Sequence, residues 1–472
     1  MKTCKVKNIL AAASVVLLST LNAQISTACA QGSLTPPGAP APTMKTLDQI
    51  EPRTPVDATH TPGSGNNVFV ISQSGSYYLT SNVTAGSGQN AIFIATNGVT
   101  LDLNGFTLSS TSESPIATGV LLDGGLSDIT IVNGHVKSSI TNNGTIFGGT
   151  GFGYGIFYVG TPPVNMLVSR VTVSGVNFHG INLGAGYTTV VKLCTVNVSG
   201  NTGIFAGMVS DCTALNCGGT AISGYTVQNC YGVSVSDGVG VDAQTAENCF
   251  GMGVGNNGGV NAVTAHNCYG LNNTSGPGIS AYNVLNSYGS SFTGPGIDSA
   301  GDVENSNGGS YNDNGVDAAN ALNCNGSTYY GYAVKASSAQ NCSGISYGSG
   351  TAVYVTQTAL SCSGNSSSGY GVYAYTAQNC YGSSGSYYGI FAAVAQNCAG
   401  SSTSGIGVYA LAALNCFGSS GTNYGVYAFD TATGCRGNSS SGTGLRAFIA
   451  NVCHGTTSSG TALNVTHNVN SY

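Results

Sequence analysis

Gly369-Tyr370-Gly371-Val372-Tyr373-Ala374-Tyr375-Thr376-Ala377-Gln378-Asn379-Cys380-Tyr381-Gly382 is one statement of a phrase that returns through the second half of the chain. Its general form is G-x-G-V-x-A-x-x-A-x-N-C-x-G. The cysteine marks each return: Cys194, Cys212, Cys230, Cys249 and Cys268, then Ser287 and Ser306 in its place, then Cys324, Cys342, Cys362, Cys380, Cys398, Cys416, Cys435 and Cys453. The steps are eighteen to twenty residues long. A fixed period of this kind means one structural unit stacked on itself.

The columns of the repeat say what that unit is. Eight residues before each cysteine, give or take one, stands an apolar side chain, from Ile204 through Val241, Ile279 and Val372 to Leu445. Two residues on, nearly every coil has a small residue, such as Ala243, Ala281, Ala336, Ala374 or Ala428. Three before the cysteine, Ala or Val returns, and the positions between vary freely. Strand side chains alternate between faces, so the fixed columns lie inside and the variable ones outside. The fold class expected is all-β, a right-handed parallel β-helix. Each coil turns about four small side chains inward, which makes a narrow core. At ~4.8 Å per coil, about fourteen intervals give a stack of roughly 65–70 Å. Left-handed hexapeptide helices share a period near eighteen but need an apolar residue every six, and the inward columns here are unevenly spaced.

Upstream, the signals are strand-like but less regular. Apolar runs at 68–71, 75–79 and 91–95 precede a clear period-two alternation at 99–108. We assign 66–193 to wider, earlier coils with an insertion around 140–166, and 194–472 to the regular cysteine-ladder coils. Residues 31–65 are rich in Pro, Ala and Thr and read as a linker, with a single helical turn at 46–52 as a cap for the first coil. Residues 1–30 read as a signal peptide. Lys2, Lys5 and Lys7 precede a short apolar core, and Ala28-Cys29-Ala30 offers a cleavage site. The localisation expected is secreted, periplasmic or on the outer surface. Ser26 stands where a lipoprotein signal would carry an apolar residue, which disfavours Cys29 as a lipid anchor. No later stretch is apolar for long enough to span a bilayer as a helix.

The runs Thr46-Leu47-Asp48-Gln49-Ile50-Glu51-Pro52-Arg53-Thr54-Pro55, Gly75-Ser76-Tyr77-Tyr78-Leu79 and Gly98-Val99-Thr100-Leu101-Asp102-Leu103-Asn104-Gly105-Phe106 resemble the N-terminal part of a group of bacterial exported proteins. These are right-handed parallel β-helix repeat proteins of the pectin-lyase-like superfamily. Phrases such as Asp211-Cys212-Thr213-Ala214-Leu215-Asn216 are similar to its generic repeat. The resemblance covers nearly the whole mature chain. It implies a fold, and implies little about activity, because many such proteins have no assigned function.

Composition narrows the function classes. Charged residues are 6% of the chain, the net charge is −6, and the 11 Lys and Arg are scattered, which leaves no electrostatic footprint for nucleic acid. The cysteines are expected to be free, packed thiols. Equivalent positions on neighbouring coils lie ~4.8 Å apart, wider than the ~3.8 Å Cβ spacing of a disulfide. There are no C-x-x-C pairs with partner histidines for a metal, although export would permit a few relaxed disulfides. The Asn before most ladder cysteines is expected to stack with its amide bonded to the coils above and below.

Pectinolytic enzymes of the resembled superfamily carry N-T-D, D-D, G-H-G and R-I-K motifs. None is present here; Phe178-His179-Gly180 and Cys453-His454-Gly455 lack the first glycine. Two outward groups remain. Asp242, Asn261, Ser280, Asp298 and Asp317 share one column, with Asp298 and Asp317 on successive coils. Those two are the catalytic candidates. With Asp302 they are also the calcium candidates, and otherwise no cofactor is expected. These coils carry no Arg or Lys, which speaks against a uronic carboxylate there. Further on, the same column becomes Tyr354, Tyr373, Phe391, Tyr409 and Tyr427, five aromatics that could stack on sugar rings or simply on one another. His266 and Glu247 share another outward column. The function expected is non-catalytic binding of a polysaccharide or cell-surface glycan. The alternatives are a lyase or glycoside hydrolase, and a structural or adhesive self-associating rod.

Overall fold

The computed structural model describes residues 53–144 and 146–472. The expected signal peptide, the part of the expected linker before residue 53 and the expected turn at 46–52 lie outside the described residues. Residues 53–472 form one compact unit. Its strands stack as a parallel β-solenoid, in which each strand pairs with its equivalent one coil later. Val241 pairs with Val260 and Val372 with Ile390, in register with the repeat. Among the described residues there is no helix.

The early coils are longer. Leu101 pairs with Ile131, and Ile131 with Val168, steps of thirty and thirty-seven residues. The longer step loops out a small antiparallel hairpin, Thr141–Asn142 with Phe147–Gly148. Large side chains fill these coils, including Ile92, Leu101, Leu103 and Phe152. The solenoid begins before residue 66. Thr54–Val56 pairs in parallel with Tyr77–Leu79, and Val56 is buried. The proline-rich composition that suggested a linker to residue 65 includes Pro55, which an edge strand tolerates because its N–H has no ladder partner to lose.

A regular coil has three short sheets. In the coil that starts at Val372, Val372-Tyr373-Ala374 lies on sheet one and Thr376-Ala377-Gln378 on sheet two, with Tyr375 at the corner. Two coils separate the two parts outright, as Ile204–Phe205 with Met208–Ser210 and Ile297–Ser299 with Asp302–Glu304. Asn379 then turns the chain with φ 55°, and Tyr381–Ser384 forms sheet three. The turning asparagines all take this left-handed conformation, which Asn enters more readily than other residues with a Cβ. The expected ladder forms in two runs, 229–267 and 305–341: Asn267 Nδ2 donates to Asn248 Oδ1 at 3.0 Å, Asn248 Nδ2 to Asn229 Oδ1 at 3.2 Å, and Asn341 Nδ2 to Asn323 Oδ1 at 3.2 Å, whereas Asn379, Asn397 and Asn415 share no such bond.

The core is thinner than alanine. Two glycine columns face each other, because sheet three lies directly against the start of sheet one. A Cβ on Gly382 would stand 2.0 Å from the carbonyl oxygen of Gly389, and one on Gly389 would stand 2.5 Å from the amide nitrogen of Ser401 and 2.7 Å from the carbonyl oxygen of Gly382. The same opposition recurs at Gly364 with Gly371, Gly400 with Gly407 and Gly418 with Gly425. The glycines of the phrase are therefore steric requirements, not turn residues.

Every cysteine among the described residues is free and buried. Each ladder thiol is satisfied by main-chain carbonyls: Cys380 Sγ donates to Ala359 O and Gln378 O, both at 3.3 Å. Ser287 makes the same kind of bond, to Leu285 O at 2.8 Å, which is why serine replaces cysteine without breaking the stack. Cys217 stands outside the ladder, and burial pushes its thiol up to about 12. It belongs to a second buried ladder of mostly serines. There Ser384 Oγ donates to Gly369 O at 2.7 Å and accepts from Tyr387 N at 2.8 Å, tying the turn after sheet three to the coil before it.

Candidate functional site

One outward column of sheet one gathers both groups of candidate residues. Pairing runs unbroken from Ser223 through Asp242, Asn261, Ser280, Asp298, Asp317, Lys335, Tyr354, Tyr373, Phe391, Tyr409 and Tyr427 to Arg446. The register read from the sequence holds along its length. Lys335 precedes the aromatic run, and pairing adds Arg446 after it.

The acidic coils are not free of cations. Lys335, one coil on, bonds Asp317 Oδ2 at 2.9 Å, and Asn314 Nδ2 reaches the same oxygen at 2.9 Å. The expectation of no basic partner fails because stacking brings the next coil's residue alongside, eighteen positions away in the chain. The Asp317 hydrogen bond raises the Lys335 pKa. Partial burial raises the Asp298 carboxyl above the usual range, and the charges of Asp317 and Asp313 raise it further. Burial also raises Asp242, against the bond it accepts from Asn261 Nδ2 at 3.0 Å. Asp302 stands on sheet two, past the corner, and accepts from Asn320 Nδ2 at 2.9 Å. Asp298, Asp302 and Asp317 thus do not converge. Among the described residues no group of three His, Cys, Asp or Glu is placed to hold a metal.

The aromatic column is a stack of rings. Centroids lie 4.9 Å apart for Tyr354–Tyr373 and 5.0 Å for both Tyr373–Phe391 and Phe391–Tyr409, with interplanar angles of 16°, 9° and 1°. Tyr332 covers one end at 4.5 Å, and the Arg446 guanidinium lies over Tyr427 at 5.0 Å at the other. The five rings are half-buried. Their faces are spent on one another, so they turn edges, not faces, to a ligand. Coils ~4.8 Å apart impose that spacing on any equivalent aromatics. A second stack shows the same effect on sheet three: Tyr231, Phe250, Tyr269 and Tyr288, with centroids 4.4, 5.5 and 4.6 Å apart. Each follows a ladder cysteine or serine, a signal that the sequence also carries.

Open ring faces belong instead to the corner between sheets one and two. Tyr282, Tyr375, Phe429 and Phe448 stand there, each at least half exposed. Three clefts open along this corner, of about 260, 310 and 450 Å³. Small residues line all three: Gly224 and Ala243, Ala262 and Ala281, Ala428 and Ala447. One side comes from the sheet-one column, as Asp242, Asp298 and then Tyr427 with Arg446. The other comes from the corner, as Tyr225, Tyr282 and then Phe429 with Phe448. The small columns that narrow the core thus also leave room along the corner outside.

The histidines do not assemble a catalytic group. His179 stacks on Phe157, with centroids 5.9 Å apart, and burial lowers its pKa. His454 packs against Tyr472. His266 lies 3.9 Å from Glu247, which also accepts from Gln228 Nε2 at 2.9 Å, a polar ladder on sheet two. No protein-family model matches the sequence, and no curated protein matches it.

Proposed function

We propose that this chain is an exported bacterial right-handed β-helix of the pectin-lyase-like kind, which binds a polysaccharide along the corner between sheets one and two. The observation that carries this reading is the recurrence of three clefts on that one corner, each pairing small residues with an aromatic and a polar side chain. A linear polymer lying parallel to the axis meets equivalent positions coil after coil, whereas a compact ligand would need a single deep cavity. Exposed rings at 282, 375, 429 and 448 offer faces for sugar rings, and neighbouring carboxylates and amides accept from or donate to hydroxyls. The signal-like N-terminal stretch supports export.

The reading predicts that Tyr375→Ala and Phe429→Ala each weaken binding in affinity electrophoresis against a panel of soluble polysaccharides. Tyr373→Ala, which removes a ring from the closed stack, should lower stability more than affinity. Unchanged retardation in both corner variants would refute it.

The second reading is polysaccharide cleavage at Asp298 and Asp317. Its support is the elevated Asp298 carboxyl beside an Asp317 that Lys335 holds, an arrangement suited to an acid and its counter-charge. It predicts release of reducing ends or unsaturated products that Asp298→Asn abolishes.

A further inference from the structure

Eight cysteines stand on successive coils from Cys324 to Cys453, and five more from Cys194 to Cys268. All are free and at most 3% exposed. Serine fills the same position at Ser287 and Ser306, so packing alone does not call for sulfur in every other coil.

The sulfurs stand in one line. From Cys324 to Cys435 each Sγ lies 3.2–3.4 Å from two equivalent carbonyl oxygens, one two residues back and one on the preceding coil. A shared environment means a shared rotamer, so the sulfurs follow one another along the axis at the coil spacing of ~4.8 Å. A bond from a metal ion to a thiolate sulfur is ~2.3 Å long, and two in a line span ~4.6 Å. An ion midway between two ladder sulfurs therefore bonds both without remodelling the coils.

The surroundings tolerate loss of the thiol protons. Gln378 O, which faces Cys380 Sγ, already accepts from Ser361 N at 2.8 Å, and Gln396 O, which faces Cys398 Sγ, from Asn379 N at 2.9 Å. Deprotonation leaves neither carbonyl without a donor. Main-chain donors also point at sulfur: Cys416 N bonds Cys435 Sγ and Cys435 N bonds Cys453 Sγ, both at 3.4 Å, and such bonds favour a thiolate.

We propose that neighbouring ladder cysteines form two-coordinate sites for a soft divalent cation of the mercury(II) type. Zinc takes four ligands in a tetrahedron. Among the described residues no three ligating groups converge, whereas each gap in the ladder sets two sulfurs opposite one another. Thiolate ligands select soft metals. Two thiolates cancel a double positive charge, so the loaded pair brings no net charge into the core, and a monovalent ion would leave one negative charge buried. In loading, a small-thiol complex of the ion exchanges its ligands. Two bonds to carrier sulfurs break, two bonds to ladder sulfurs form, and the two ladder protons pass to the released carriers. Each thiolate serves one ion, so the eight sulfurs from Cys324 to Cys453 hold four.

The test uses the reduced full chain and mercury(II) supplied with excess glutathione. Loading is done just below the melting temperature, where coils open and close locally. Gel filtration removes what is not held, and mass spectrometry reads the metal per chain. Serine keeps the bonds of the ladder, since Ser287 Oγ accepts from Cys268 N at 3.0 Å and donates to Leu285 O at 2.8 Å. Circular dichroism checks the fold of each variant. Cys342→Ser, Cys380→Ser, Cys416→Ser and Cys453→Ser together leave four cysteines without a neighbour, and should hold four ions fewer than the parent. Cys324→Ser, Cys342→Ser, Cys362→Ser and Cys380→Ser together remove as many thiols but leave four in succession, and should hold only two fewer. X-ray absorption should find two sulfurs about each metal. Equal losses in the two variants would overturn the proposal, because uptake would then follow the number of thiols and not their adjacency. Three or four sulfurs about each metal, or a parent chain that retains none, would overturn it as well.

Discussion

Gly382→Ala tests the glycine-faced core most directly. The added methyl carbon would stand 2.0 Å from Gly389 O, 2.6 Å from Gly389 C and 2.7 Å from Ile390 Cγ1. Two of these are backbone atoms, so no side-chain rotation relieves them. The coils on either side hold the spacing, because Gly364 meets Gly371 and Gly400 meets Gly407 just as closely. Overpacking a core costs about 1–3 kcal/mol, and a clash with backbone belongs at the upper end or beyond. One term opposes it. Gly382 is not in the left-handed region, and alanine there loses less chain entropy on folding, a gain of about 0.4–1 kcal/mol. The net expectation is a loss of about 2 kcal/mol. Ser383→Ala, one residue along and facing outward, should stay within about 0.5 kcal/mol. Urea unfolding followed by circular dichroism reads both, together with limited proteolysis, because a solenoid can open locally around one weakened coil. If Gly382→Ala unfolds at the same urea concentration as the parent or higher, the two sheets do not meet as closely as described.

Other outcomes follow from the ladders. Asn267→Ala should cost about 1–2 kcal/mol through its positive φ and its lost bond to Asn248, and Asn267→Gly should recover most of that, as denaturant midpoints will show. Cys380→Ser should be nearly neutral, as at Ser287, and Ellman's reagent should find no reactive ladder thiol until the chain is unfolded. Asp298 has a raised carboxyl, so the folded state binds its proton more tightly than the unfolded chain does. Stability from this group is full at pH values below the unfolded carboxylate value and is lost as pH rises through the folded one. Asp298→Asn should therefore raise the melting temperature at pH 7, with the gain vanishing in acid; a gain confined to acid would contradict that sign.

Much of the fold could be read before any coordinates. The ladder from Cys194 to Cys453 counts coils, and alternation around it separates inside from outside correctly at Val372, Ala374, Ala377 and Cys380. The column from Asp242 to Tyr427 was likewise in register. The site was less legible. The repeat does not mark Lys335 as a partner of Asp317, and it leaves open whether the rings from Tyr354 to Tyr427 stack on sugars or on one another. The corner positions, Tyr282, Tyr375, Phe429 and Phe448, follow no repeating residue type, so no pattern in the chain marked them.

The amino-acid sequence by itself determined the period, the strand alternation and the identity of each column, because a parallel solenoid repeats in space whatever repeats along the chain. Only the tertiary structure decided how near one sheet lies to another and which ring faces stay open. Those depend on the angle at each corner and on distances between residues of different columns, and a one-dimensional repeat carries neither. The glycines of the phrase mark the division. Their recurrence was plain in the sequence, but their reason, a carbonyl oxygen 2.0 Å from where a methyl would sit, exists only once sheet three has folded back onto sheet one.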